Sequence, residues 1–253
     1  MGPRVLLFVL IAPLAGAGKD GAAALEELER KYSIRVVVAP ERFAVRWGSL
    51  KLITGDVPKE TKASSYSELL LAEFGIYPVS FVKKSRLWAI YLCADLRYHG
   101  ERRTAIPDYR RNILYLDVER ARHAERYVRK VIHHEFFHMV DIVDDGELYR
   151  DPGWARLNSD TFRYGRGGAA MQRDPDASLP DDSTPGFLNR YSTSGIQEDK
   201  AEVFAHMIRE YAAVERRAKD DEILRKKVAY MKELLANFCP EINATFWQTR
   251  STP

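Results

Sequence analysis

Residues 131–141 read VIHHEFFHMVD and carry His134, Glu135 and His138, a glutamate between two histidines four positions apart. On an α-helix, residues four apart stand one turn apart on one face, so the two imidazoles can point at one ion. Neutral imidazole is a good zinc ligand. Glu135 is turned about 100° away from His134 around the helix. It is poorly placed to chelate beside the histidines and well placed to take a proton from a water that an ion holds. The plain alternative is a helix whose histidines are ordinary core or surface residues. The flanks support the helix itself. Ala124, Val128, Val131, Ile132 and Met139 recur at three- and four-residue intervals, which predicts a helix over 119–143.

A catalytic zinc needs a third protein ligand and an open position. The metzincin pattern fails, because Asp141 and Asp144 occupy the positions it reserves for Gly and His. Asp144 as a ligand is a variant of that reading, but nothing helix-breaking precedes it. Asp141 lies on the same face as His134 and His138 and is expected to orient a ligand from behind. The stronger candidates come later, in NRYSTSGIQEDKAEVFAHM, residues 189–207. This stretch opens a predicted helix with Glu198 and Glu202 one turn apart on one face. One is expected to bind the metal, and the other to hold a ligating histidine or its partner. An acidic first helical turn, favoured by the helix dipole, is the competing explanation. His206, a further turn along, reads as packing.

The chain has 253 residues, 45% hydrophobic and 30% charged, which suits an ordinary globular fold. A net charge of +3 does not by itself point to nucleic acid, and no nucleic-acid-binding signature occurs. Arg4 followed by VLLFVLIAPLAGAG reads as a signal peptide over 1–17, cleaved after Ala17, so the protein is expected to be exported. The apolar run is too short to span a bilayer comfortably, and no stable membrane anchor is expected. Two cysteines follow, Cys93 and Cys239. In an exported chain they can form one disulfide or stay as buried thiols.

Residues 18–253 are read as one catalytic domain. Its 18–143 half holds a helix at 22–32, strands at 34–39, 86–96 and 112–118, and the motif helix. A second helix is read over the stretch SSYSELLLAEFGIYP, with its serines as the N-terminal cap. The 144–253 half holds a long Gly/Pro/Asp/Ser-rich insert at 144–196, then helices at 197–219 and 221–238. Strands first and helices later make the class α+β, with a small sheet beside a helical half.

The combination resembles the anthrax lethal factor-like zinc metallopeptidases, a gluzincin group that includes secreted Pro-Pro endopeptidases. In that group HExxH is followed by Asp three residues beyond the second histidine, here His134, Glu135, His138 and Asp141. A Tyr then precedes, by seven residues, a Glu that opens an E-x-x-A-E cluster. Here these are Tyr191, Glu198 and the EDKAE of residues 198–202. The resemblance covers about residues 118–207 and implies a zincin-like fold with one zinc ion per chain. It implies His134, His138 and Glu198 as ligands, Glu135 as general base and Tyr191 as oxyanion stabiliser. Glu202 would stand behind the ligands.

A zincin-like fold also implies an edge strand along the cleft that pairs with an extended peptide or protein substrate. NILYLDV, residues 112–118, is expected in that place. Arg102, Arg103, Arg110 and Arg111 would be a solvated basic loop, or would attract acidic substrate residues. The expected activity is zinc-dependent peptide hydrolysis. Its rivals are a non-catalytic binding or scaffold protein on the same fold, and a zinc amidohydrolase acting on a non-peptide substrate.

Overall fold

The computed structural model describes residues 17–48, 50–120, 125–171, 174 and 176–251. The expected signal segment therefore lies outside the described residues, except for Ala17, which is buried.

The chain runs α1 (Lys19–Tyr32), β1 (Arg35–Val38), β2 (Phe43–Trp47), β3 (Leu50–Asp56), α2 (Glu60–Phe74), α3 (Val79–Lys84) and β4 (Ala89–Tyr98). It continues with β5 (Glu101–Arg102), β6 (Ala105–Asp108), β7 (Ile113–Asp117) and α4 (Glu125–Asp144). Two short helices follow, α5 (Pro152–Ala155) and α6 (Gly168–Met171), then a 3-10 turn over Tyr191–Ser194. Three helices close it: α7 (Ile196–Asp220), α8 (Glu222–Phe238) and α9 (Ala244–Ser251). This is the expected α+β order, with strands and a helix-borne motif first and a helical half last.

Strand β4 is the spine of the sheet. Its first half lies between β1 and β7, parallel to both, in the registers Val36↔Ile90 and Ile90↔Leu114. Its second half changes partners and pairs antiparallel with β3 and β5. The change coincides with Asp95, held at φ 46, and with a register shift between Thr54 and Asp56. Alternate residues of β4 and β7 face opposite sides. Ile90, Leu92, Leu114 and Leu116 join the large core under the helices. Cys93, Ile113 and Tyr115 join a smaller core covered by Phe43 and Val45 of the β2–β3 hairpin. Phe74, Phe81, Phe136, Phe204 and Phe238 bring α2, α3, α4, α7 and α8 together in the large core, with ring centroids 4.6 Å apart for Phe74–Phe136.

Two expectations need correction, the edge strand and the cap of α2, and the open alternative for the cysteines is decided. The edge strand is not residues 112–118: β7 is interior, paired with β4 on one side and β6 on the other. The edge is β6, antiparallel to β7 (Ile106↔Tyr115), and α4 packs against it. The expected loop between β4 and β7 hid it, because a four-residue strand containing Pro107 carries almost no alternation to read. Cys93 and Cys239 are both free and buried. Cys93 sits in the small core and Cys239 at the end of α8 in the large one, so they occupy separate clusters and form no disulfide. Helix α2 begins at Glu60, with Lys59 as the extended residue before it, ahead of the serines read as its cap; Ser65 and Ser67 instead return hydrogen bonds to the carbonyls four residues back.

The insert at 144–196 is not a bare loop. It has structure of its own and is anchored by Trp154, which is fully buried. Asp151 caps the short α5 by accepting from the Trp154 amide at 2.8 Å. Of the basic loop, Arg102, Arg103 and Arg111 each pair with a nearby carboxylate, on Asp95, Glu101 and Asp108.

Candidate metal centre

Helix α4 buries one face against α7, and His134 and His138 lie at that interface. Their Nε2 atoms face each other at 3.2 Å. Glu198, in the first turn of α7, places Oε2 at 3.0 Å from His134 Nε2 and 3.6 Å from His138 Nε2. Around a tetrahedral ion with bonds of about 2.0–2.2 Å, ligand atoms lie roughly 3.4 Å apart, which this triangle matches. Two imidazole lone pairs directed at each other with a carboxylate oxygen between them repel unless a proton or a cation stands there. The group His134, His138 and Glu198 can therefore hold a metal ion. Asp144, the variant ligand, is exposed at the end of α4 and takes no part.

What places Glu198 is its neighbourhood in EDKAE. Asp199 points the other way, fully buried, and its Oδ2 accepts from Trp154 Nε1, the Tyr164 hydroxyl and Lys227 Nζ at 2.6–2.8 Å. Lys200, also buried, lies 2.5 Å from Asp141 Oδ1 and 3.0 Å from Asp151 Oδ2. Glu202 is one turn beyond Glu198. Its Oε1 stands 3.0 Å from His134 Nδ1, and its Oε2 accepts from Lys130 Nζ at 2.8 Å and Asn189 Nδ2 at 2.6 Å. Four of five consecutive residues thus tie the start of α7 to α4, to the insert and to α8. Glu198 has little freedom left.

This corrects Asp141. It was expected to hold a ligating histidine, but it sits under Lys200 instead. His138 Nδ1 is buried without a hydrogen-bond partner among the described residues. Burial raises the Asp141 carboxyl to about 6, with the Lys200 ammonium pulling the other way.

Burial lowers the proton affinity of His134, but hydrogen bonds to Glu198 and Glu202 outweigh it and carry its pKa up to about 10. Burial disfavours the Glu198 carboxylate, yet the two histidines hold its pKa well below the ordinary range. Glu135 is half-buried. Burial raises its carboxyl, His134 and His138 lower it, and the balance is upward. Tyr191 comes from the 3-10 turn just before α7, with its ring 5.8 Å from that of His134. Burial first, then the Glu198 carboxylate, push its phenol well above the ordinary value. Gly168 approaches so closely that a Cβ there would collide with the Tyr191 hydroxyl and Glu198 Oε1. So His134, Glu135, His138, Tyr191, Glu198 and Glu202 come together. Asp141 is one layer removed, and Cys93 and Cys239 are elsewhere.

Several neighbours escaped sequence reading. Lys130 and Asn189 satisfy Glu202 from behind. Lys130 stands four residues before His134, a position at which a lysine reads as solvated surface. Tyr109, beside the edge strand, is partly buried and lies in the field of Glu135 and Glu198. Gly168 shows no local signal, because only the tertiary approach of Tyr191 demands a glycine there.

No protein-family model matches this chain, and no curated protein matches it. Among solved structures it resembles a protein from Bacteroides caccae described as a "putative zinc-binding metallo-peptidase". The TM-score is 0.55 at 16% sequence identity, over 92% of this chain and 90% of that one. At that identity the likeness establishes a shared α+β fold along nearly the whole length of both proteins.

Proposed function

We propose that the protein is a zinc metallopeptidase of the anthrax lethal factor-like kind. The observation that carries this reading is the convergence of His134, His138 and Glu198 on one point, with Glu135 beside them and Tyr191 against Glu198. The fold shared with the Bacteroides caccae protein supports it.

A zinc ion bound there supplies a water whose pKa falls to about 7. The remaining chemistry belongs to the chain. Glu135, its basicity raised by burial, takes a proton from the attacking water and passes it to the leaving amine. The Tyr191 phenol, held protonated by its surroundings, donates a hydrogen bond to the carbonyl oxygen as negative charge gathers there. Glu202 sets its carboxylate 3.0 Å behind His134 Nδ1 and so favours the ring orientation that turns Nε2 toward Glu198.

The substrate is an extended peptide lying along β6, the edge strand beside α4. The protein acts outside the cytoplasm, after cleavage near Ala17. No helix among the described residues is long and apolar enough to cross a membrane.

The test is cleavage of a diverse peptide library by zinc-loaded protein starting at Gly18, with Glu135→Gln as control. Cleavage that disappears in the variant supports a peptidase. A wild type that binds zinc yet cleaves no peptide favours a binding protein on the same fold. Amino-terminal sequencing of protein recovered from the medium or periplasm checks the export reading, which fails if Met1 is retained.

A further inference from the structure

A pocket of about 550 Å³ lies between residues 149–155, residues 164–167 and the start of α7. Two of its wall residues are the immediate neighbours of groups already placed at the metal centre. Gln197 precedes Glu198, and Gly167 precedes Gly168, the glycine packed on Tyr191 and Glu198. Adjacent Cα atoms are about 3.8 Å apart, and an extended peptide advances about 3.3 Å per residue. The pocket and the metal centre thus share the start of α7 and the segment at 167–168, and an extended substrate held at Glu135 can run on toward it.

The charge of the pocket is one-sided. Arg150 and Arg166 line it, both exposed, and neither has a carboxylate partner among the described residues. The one acid in the lining, Asp151, is already engaged. Its Oδ1 accepts from the Trp154 amide and the Tyr230 hydroxyl, and its Oδ2 lies 3.0 Å from Lys200 Nζ. Burial opposes ionisation of Asp151, but these partners together hold its carboxyl below the ordinary value, so it stays charged and turned toward Lys200, which it shares with Asp141. Arg150 and Arg166 are left as two guanidinium groups with no ion-pair partner among the described residues, and their planar forks match a carboxylate. Tyr149, largely exposed, adds an aromatic wall.

We propose that this pocket is a subsite for a substrate carboxylate on one side of the scissile bond, with Arg150 and Arg166 as its specificity-determining residues. The carboxylate is an Asp or Glu side chain, or the carboxyl terminus of a short peptide. The inference rests on the peptidase reading and makes it more specific.

The test has two arms, run on the full chain loaded with zinc. In the first, peptides carry Glu, Gln or Lys at each position flanking the cleaved bond, and matched peptides end in a free or an amidated carboxyl group. At one position kcat/KM should favour Glu over Lys by about tenfold or more. Arg150→Glu and Arg166→Glu should each shrink that Glu-to-Lys ratio, and the pair together should invert it. A preference that follows the free terminus rather than the side chain identifies an exopeptidase-like use of the same pocket. A ratio near one, or one the variants do not move, overturns the proposal.

The second arm uses Glu135→Gln protein and measures binding of the Glu and Lys peptides by calorimetry, with no turnover needed. Tighter binding of the Glu peptide, lost in the double arginine variant, supports the pocket even if wild type cleaves nothing. Equal binding of both peptides to both proteins overturns the pocket even if cleavage is seen.

Discussion

Glu202 takes hold of His134 from behind. Its Oε1 lies 3.0 Å from Nδ1, while Glu198 approaches Nε2 of the same ring at 3.0 Å. Two carboxylates one helical turn apart on α7 thus address opposite nitrogens of one imidazole. Only Glu198 also reaches His138, so the two glutamates should differ sharply when replaced. Glu198→Ala should abolish stoichiometric zinc binding. Glu202→Ala should weaken it about 10–100-fold without abolishing it. Competition with a colorimetric chelator separates the two. Full affinity in Glu198→Ala with loss in Glu202→Ala would reverse the assignment.

Metal removal should leave a pH signature. In the metal-free protein, Glu198 and Glu202 together outweigh burial and raise the His134 pKa from 6.5 to about 10. A histidine raised on folding stabilises the fold fully below its unfolded pKa, and that stability is lost as pH rises through the folded pKa. Chelator-treated protein should therefore lose stability between about pH 7 and about pH 10, and zinc-loaded protein should not follow it. Because zinc must displace that proton, its affinity should rise with pH over the same range. Denaturant melts with and without chelator, across pH, provide the check; parallel curves would show that His134 is neutral in the metal-free state.

Glu135 lies beside the ligands without being one of them. Glu135→Gln should keep zinc and cost about 10²–10⁴-fold in kcat, the range for loss of a general base. Tyr191→Phe should keep zinc and lower kcat by about 10²-fold, as for loss of one oxyanion donor. Unchanged turnover in Tyr191→Phe would remove it from the mechanism.

Asp199 and Lys227 form a buried pair at 2.7 Å, with both side chains inaccessible to solvent. Removing one partner strands the other charge, so Asp199→Ala should cost about 3–5 kcal/mol of stability. Replacing both, as Asp199→Leu with Lys227→Met, should recover part of that loss. Since Asp199 adjoins Glu198, the single variant should also weaken zinc binding. Urea unfolding at fixed zinc measures both; a single variant as stable as wild type would show the pair to be dispensable.

Cys93 and Cys239 belong to different cores, so purified protein should titrate two free thiols per chain after denaturation. Reductant should leave its melting temperature unchanged. One disulfide per chain in protein exported by an oxidising host would contradict the structure.

The sequence by itself determined the α+β class, the helix that bears the histidines and the candidate ligands. Periodicity sets an α-helix locally, and a four-residue spacing puts His134 and His138 on one face whatever surrounds them. The order of strands before helices was legible for a similar reason, since β1, β4 and β7 are rich in β-branched and aliphatic residues. Tertiary structure alone decided which glutamate faces which nitrogen. On α7 the two positions are equivalent by spacing, and only the approach of α4 separates them. It also decided that β6 rather than β7 is the edge, that Asp141 serves Lys200, and that the two thiols never meet. Each of these depends on contacts between residues distant in the chain, for which a one-dimensional pattern carries no signal. The unpaired arginines of the pocket belong to the same class: a sequence shows that Arg150 and Arg166 are charged, but not that Asp151 is already taken.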